Sequence, residues 1–302
     1  MAKLAFVFPG QGAQKAGMGK SLYAANPAAK AVFDALEAIR PGTLSMCFDG
    51  PEDALSETIN TQPCLYAVEL ATAHALAAKG IKPAACAGFS LGEVSALAAS
   101  GVVDLTEGFR LVSLRAQLMQ DEAEKTTGAM AAVLKLSAAD VEAICAAHGV
   151  YPVNYNCPGQ ITVSGEKAKM PDFLAAVKAA GGRGIPLKVK GAFHSPYMAE
   201  AGEKFREALK TVAFREPKGL LYSNKTGLPY GWAFADALAD QIKSPVRWQA
   251  EVEHMIENGF DTFVEVGPGK TLAGLIGKIN ADVKMLGVED AQTLEEAVEA
   301  LC

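Results

Sequence analysis

Closely spaced cysteines are missing from this sequence: the six it has, at positions 47, 64, 86, 145, 157 and 302, are all more than ten residues apart. That spacing excludes a CxxC pair for metal binding or thiol exchange, and reduced thiols in a cytosol are the expected state. Histidine is scarce too, with four in 302 residues. There is no HExxH motif and no His/Cys cluster with zinc spacing, so no metal or other cofactor is implied. Long apolar runs are also wanting. The N-terminal run Leu4 to Phe8 stops at Pro9, too short for a signal peptide and about right for a strand. The apolar region from Ala84 to Val103 is broken by Glu93 and three glycines, which suits a buried strand and helix better than a membrane span. Basic clusters are lacking as well: the net charge is −6 and Lys and Arg are dispersed, which argues against nucleic acid or a membrane surface as partner. A soluble, cytoplasmic protein is expected, and a monomer.

What is present is a large apolar fraction, 50% of residues, enough for a sizeable core. Short apolar runs followed by Gly-rich turns and helical periodicity recur at Leu4 to Phe8, Ala84 to Phe89, Gly219 to Ser223 and Thr262 to Val266, the alternation of a mainly parallel sheet covered by helices. The run at 84–89 is the least strand-like, because alanine and glycine have low strand propensity. Between 127 and 190 the order changes to strand (129–136), helix (138–147), strand (150–156), strand (160–164), helix (167–180) and strand (185–190), the ferredoxin-like split unit. The expected architecture is α/β: an α/β-hydrolase-like large subdomain, 1–126 and 191–302, carrying an inserted ferredoxin-like subdomain, 127–190.

Gly88-Phe89-Ser90-Leu91-Gly92 fits GxSxG, the nucleophile elbow, in which glycines let a strand turn sharply into a helix and hold the serine oxygen exposed. A glycine-flanked N-cap serine is the plainer reading. Backbone N–H groups at a helix start can stabilise an oxyanion, and that of Leu91 is the natural first donor. Gln11, in the glycine-rich FPGQGAQ after the first strand, is the candidate for the second. Of the histidines, 74, 148 and 254 sit in helical patterns. His194 stands in KGAFHSPYM, in a short loop before Ser195-Pro196, and is the candidate base. No acid lies close to it, so a backbone carbonyl is expected to orient it, giving a Ser-His dyad. Arg115 falls inside the apolar arc of its helix, with Val112 and Met119, and a buried guanidinium needs a partner. Either a structural Asp or Glu or a substrate carboxylate would serve. GMGKS (17–21) and GPGKT (267–271) resemble the tail of a phosphate-binding loop, but each fails at the first required glycine.

FPGQGAQ, QPCLYAVE, GFSLGE, LRAQLMQ, NYNCPGQITVSG, GAFHSPYM, SPVRW and EVGPGKTL, in that order from residue 8 to about 275, resemble the malonyl-CoA:acyl carrier protein transacylases. The resemblance implies Ser90 as the acylated nucleophile, His194 as its base, oriented by a carbonyl from the SPVRW segment, and the N–H groups of Gln11 and Leu91 as oxyanion hole. It implies Arg115 as the grip on the malonyl carboxylate, and Phe193 as the bulky residue of malonyl-selective members. Malonyl-CoA and acyl carrier protein are the implied partners, with Lys188 and Lys190 candidates for a basic rim facing an acidic carrier. One departure is Phe89: the residue before the nucleophile is commonly histidine in this family, a change that bears on acyl selectivity and rate. The implied role is supply of extender units for fatty-acid synthesis. A stand-alone polyketide acyltransferase, an acyl-thioester hydrolase sharing Ser90 and His194, and a carrier-binding module without chemistry are the competing readings.

Overall fold

The computed structural model describes residues 3–302. In chain order the elements are β1 (Leu4–Phe8), α1 (Lys20–Ala25), α2 (Pro27–Ile39), α3 (Thr43–Asp49), α4 (Glu52–Leu55), α5 (Thr58–Ala78), β2 (Ala85–Gly88), α6 (Gly92–Ala99) and α7 (Leu105–Lys125). Then come β3 (Gly128–Leu134), α8 (Ala138–His148), β4 (Tyr151–Cys157), β5 (Gln160–Glu166), α9 (Met170–Ala179), β6 (Arg183–Pro186) and α10 (Ala199–Leu209). The last third holds β7 (Leu220–Ser223), β8 (Leu228–Pro229), α11 (Phe234–Gln241), α12 (Trp248–Glu257), β9 (Thr262–Val266), α13 (Thr271–Ile279), β10 (Lys284–Val288) and α14 (Ala291–Leu301). Two compact units result, one of residues up to 116 with 213–223 and 254–302, the other of 117–212 with 224–253.

The first unit is built on a parallel sheet in the order β10-β9-β1-β2-β7. A parallel sheet is covered on both faces, so its strands are mainly apolar: LAFVF in β1, and TFVEV in β9, which is buried throughout although it includes Thr262 and Glu265. β2 reads ACAG, against strand propensity, and the reason is proximity. A Cβ at Gly88 would fall 1.9 Å from the Gly92 carbonyl oxygen, and one at Gly92 would fall 2.2 Å from that of Phe8. Small residues are what allow α6 to start directly on top of β1 and β2.

In the second unit β3 to β6 form an antiparallel sheet in the order β4-β5-β3-β6, joined as strand, helix, strand, strand, helix, strand. This is the ferredoxin-like arrangement, and α8 and α9 close it over a core that includes Val133, Val163 and Phe173. Its last strand differs from expectation: it occupies 183–186 and not 185–190. Pro186 has no N–H for the ladder, and beyond it only Leu187 N still bonds, to Met130 O at 2.9 Å. From Leu187 to Lys190 the alternation runs into a largely exposed segment in which Val189 is partly buried, and Lys188 and Lys190 are both exposed.

Candidate active site

Ser90 sits in the turn between β2 and α6, two residues from each, with φ of 56°. A left-handed serine is strained, and the surroundings hold it there. Phe89 N donates to Phe8 O at 2.9 Å, Gly92 N to Phe89 O at 3.0 Å and Glu93 N to Ser90 O at 3.2 Å, so the turn is pinned on both sides. The loop after β1 approaches the same turn, since a Cβ at Gly10 would lie 2.7 Å from Phe89 O. That contact places Gln11 beside the elbow, and its side chain donates to Thr58 Oγ1 at 3.3 Å. Neither the Gln11 nor the Leu91 backbone N–H is taken up by a hydrogen bond among the described residues.

Arg115 is 1% exposed, and its position in the apolar arc of α7 accounts for that burial. Its Nη1 donates to Gln62 Oε1 at 2.8 Å and its Nη2 to Ser90 Oγ at 3.2 Å. Both of these acceptors are neutral. The buried Glu93, in the first turn of α6, acts on the guanidinium through its charge. Burial pulls Arg115 down to about 10 and Glu93 pushes back, leaving it a cation at neutral pH. Gln62 is a site residue that sequence reasoning missed; it is an amide inside QPCLYAVE, in a helix whose residues from Thr61 to Ala73 are all buried.

His194 lies in the second unit, 4% exposed and at φ of 58°. Its Nδ1 is 2.9 Å from the carbonyl oxygen of Gln241. A carbonyl only accepts, so Nδ1 carries a proton, and in the neutral imidazole Nε2 presents a lone pair. The expected main-chain carbonyl is there, but it comes from the end of α11, three residues before the SPVRW segment, because the helix terminus has an outward-facing carbonyl to offer. Behind it runs a buried chain: Gln241 Nε2 donates to Asn224 Oδ1 at 3.1 Å, and Asn224 Nδ2 to Glu251 Oε1 at 2.8 Å. Asn224 and Glu251 carried no sequence signal. Phe193 is 6% exposed, and its carbonyl accepts from Ser164 Oγ at 3.1 Å.

Two of the other histidines are occupied elsewhere. His254 Nδ1 is 3.0 Å from Tyr222 Oη, and His148 packs edge-on against Phe173. The GPGKT loop cannot serve a phosphate, for a positive reason: Glu265 Oε1 accepts from Leu272 N at 3.0 Å and Oε2 from Ala273 N at 2.8 Å. The chain's own carboxylate fills the anion site at the start of α13.

An elbow serine on a parallel α/β sheet, with a ferredoxin-like unit in the same chain, defines the acyl transferase class, and the acyl transferase domain family model matches residues 5–291. Malonyl CoA-acyl carrier protein transacylases of Bacillus subtilis and Escherichia coli are each 37% identical, over 100% and 99% of this chain and 98% and 100% of theirs. The crystal structure of the Clostridium perfringens malonyl CoA-acyl carrier protein transacylase matches at a TM-score of 0.96 and 37% identity, covering 99% of this chain and 97% of that one. A malonyl-transacylase in complex with a type II PKS acyl-carrier protein matches at 0.96 and 35%, covering 99% and 100%. The chain belongs to the malonyl CoA-acyl carrier protein transacylase family.

Proposed function

We propose that this protein transfers the malonyl group of malonyl-CoA to the phosphopantetheine thiol of acyl carrier protein through an ester on Ser90. His194 Nε2 takes the Ser90 proton as Oγ attacks the thioester carbonyl carbon. The N–H groups of Gln11 and Leu91 receive the oxyanion. As the tetrahedral intermediate collapses, the carbon–sulfur bond breaks and the coenzyme A sulfur leaves with the proton from the imidazolium. The carrier thiol then attacks the Ser90 ester, gives its proton to His194, and Oγ departs with that proton.

The observation that carries this reading is the 3.2 Å contact between Arg115 Nη2 and Ser90 Oγ. One methylene separates the carboxylate of a malonyl group from its reacting carbonyl, so a fixed guanidinium beside the nucleophile suits that acyl group. It disfavours neutral acyl chains, which bring no negative charge of their own to the buried cation. A general thioesterase has no use for such a cation. We assign Phe193 to the wall that excludes branched acyl groups, and the exposed Lys188 and Lys190 to an acidic carrier surface. The reading places the protein in the cytoplasm, as a monomer serving fatty-acid synthesis; among the described residues no helix is long and apolar enough to cross a membrane. The polyketide alternative keeps one specific support, the likeness to the transacylase in complex with a type II PKS carrier.

Intact-mass measurement after mixing with malonyl-CoA tests it. One malonyl adduct is expected on the wild type, none on Ser90→Ala, and loss of the adduct when holo acyl carrier protein is added. An adduct of the same mass on Ser90→Ala would refute the assignment.

A further inference from the structure

A cavity of about 340 Å³ opens in the first unit at the start of the parallel strands. Ala85 and Cys86 line it at the beginning of β2, Leu220 at the beginning of β7, and Ala98 and Ser100 at the end of α6. Four residue steps lead from Cys86 to Ser90, at most about 13 Å at strand rise, and Ser90 lies beyond the other end of β2. In open α/β sheets substrates bind at the carboxyl ends of the strands, so this cavity is separate from the acyl-transfer site.

Its interior is apolar: Phe6, Ile81, Cys86 and Ala98 line it, and the first three are buried. Its lysine charges are of one sign. Lys82 and Lys218 are exposed, and their ammonium groups make no ion pair or side-chain hydrogen bond among the described residues. No Asp or Glu lines the cavity. Lysines near helix C-termini can simply answer the carbonyls there. Here those carbonyls are already taken: Leu97 O accepts from Val102 N and Ser100 Oγ, Ala98 O from Gly101 N, and Ser100 O from Lys218 N. The stem of Lys218 runs against Gly101, where a Cβ would come within 3.2 Å of Lys218 Cε, so this side chain is seated along the cavity mouth. His74 completes the lining; burial lowers its pKa, and as a neutral imidazole it can donate to a bound anion or accept from its protonated form.

We infer that this cavity is a second binding site, for a small amphiphilic anion whose acidic head sits between Lys82 and Lys218 and whose short aliphatic body fills the apolar interior. The volume lies at the lower end of small-molecule pockets, which limits the body to a short chain. Carboxylates and phosphate monoesters share this chemistry.

Methyl NMR of the whole protein, with Ile81 as reporter, tests the site by titration with octanoate, hexyl phosphate, octylamine and acetate. Saturable shifts at Ile81 with octanoate or hexyl phosphate are expected, the tighter of the two naming the head group, with octylamine and acetate without effect. Lys82→Glu with Lys218→Glu, both exposed, should weaken the tighter ligand at least about tenfold, and Ala98→Leu, which fills the interior, should abolish the shift. Malonylation of Ser90 measured on the same variants should remain, which separates failure here from failure of the acyl-transfer reading. Absence of saturable shifts with both anions, equal binding of octylamine, or unchanged affinity in the double lysine variant would each overturn the site.

Discussion

Arg115 Nη2 donates to Ser90 Oγ across 3.2 Å, bringing a buried cation onto the oxygen of the elbow. The same fork is steadied by Gln62 at 2.8 Å, so its position is set before any substrate arrives. Replacing Arg115 by Ala should remove the charge that, in the proposed function, answers a malonyl carboxylate. The ratio of kcat/KM for malonyl-CoA over acetyl-CoA should fall by on the order of 100-fold, about 3 kcal/mol for a charge-assisted pair in a buried site. Arg115→Lys should recover only part of it, because a point charge cannot hold Gln62 and a carboxylate in one plane. An unchanged ratio in Arg115→Ala would return the residue to a structural role.

The chain from His194 through the Gln241 carbonyl to Asn224 and Glu251 makes a second prediction. Asn224→Ala breaks the chain one residue behind the carbonyl that fixes the Nδ1 proton. The rate of Ser90 malonylation should fall on the order of tenfold, about 1.4 kcal/mol, with little change in KM for malonyl-CoA. Glu251→Gln keeps an acceptor for Asn224 and should stay near wild type, whereas Glu251→Ala should resemble Asn224→Ala. A KM increase at constant kcat would place the chain in substrate binding instead of in orienting the imidazole.

These residues also mark what the sequence makes legible. Ser90 is readable because its geometry needs two glycines at fixed offsets, and Arg115 because a charge interrupting an apolar arc shows on a helical wheel. Most ferredoxin-like strands are readable from alternation, since one face is buried. β2 is readable only from context, because its composition answers to the backbone of α6 and not to strand propensity. Gln62, Asn224 and Glu251 are not readable as site residues: their roles come from contacts across 53, 17 and 27 positions, and a buried amide has no periodicity that reports its partner. The orienting carbonyl of Gln241 is a backbone group, which any residue type could supply.

Glu69 gives a pH prediction. It lies fully buried in α5, its Cγ 2.9 Å from where a Gly267 Cβ would be. Burial raises its pKa well above the ordinary 4.5, and the nearby Glu265 raises it further while Ser95 pulls the other way. The folded protein therefore keeps this proton when the unfolded chain has lost it. Stability from Glu69 is whole below pH 4.5 and declines as pH rises toward the folded value, by up to about 1.4 kcal/mol per pH unit. Glu69→Gln removes that decline. Urea unfolding followed from pH 5 upward should show the variant gaining on the wild type as pH rises, and parallel curves would mean that the folded protein holds Glu69 ionised.

Gly92 of the elbow and Gly274 of α13 set two effects of opposite sign against each other. Gly92 and Gly274 both lie in helices, where Ala is favoured over Gly by up to about 1 kcal/mol. Around Gly274 a Cβ meets nothing within 4 Å, so Gly274→Ala should be neutral to stabilising by that amount. At Gly92 the same Cβ would come within 2.2 Å of Phe8 O and 2.7 Å of Pro9 O, backbone atoms that cannot rotate away. The overpacking cost, about 1–3 kcal/mol, exceeds the propensity gain, and relieving it moves α6 off β1 together with the Ser90 turn. Gly92→Ala should lower the urea midpoint and slow Ser90 malonylation together, while Gly274→Ala changes neither for the worse. A Gly92→Ala protein as stable and as readily malonylated as wild type would show that the close approach of α6 to β1 does not hold the nucleophile in place.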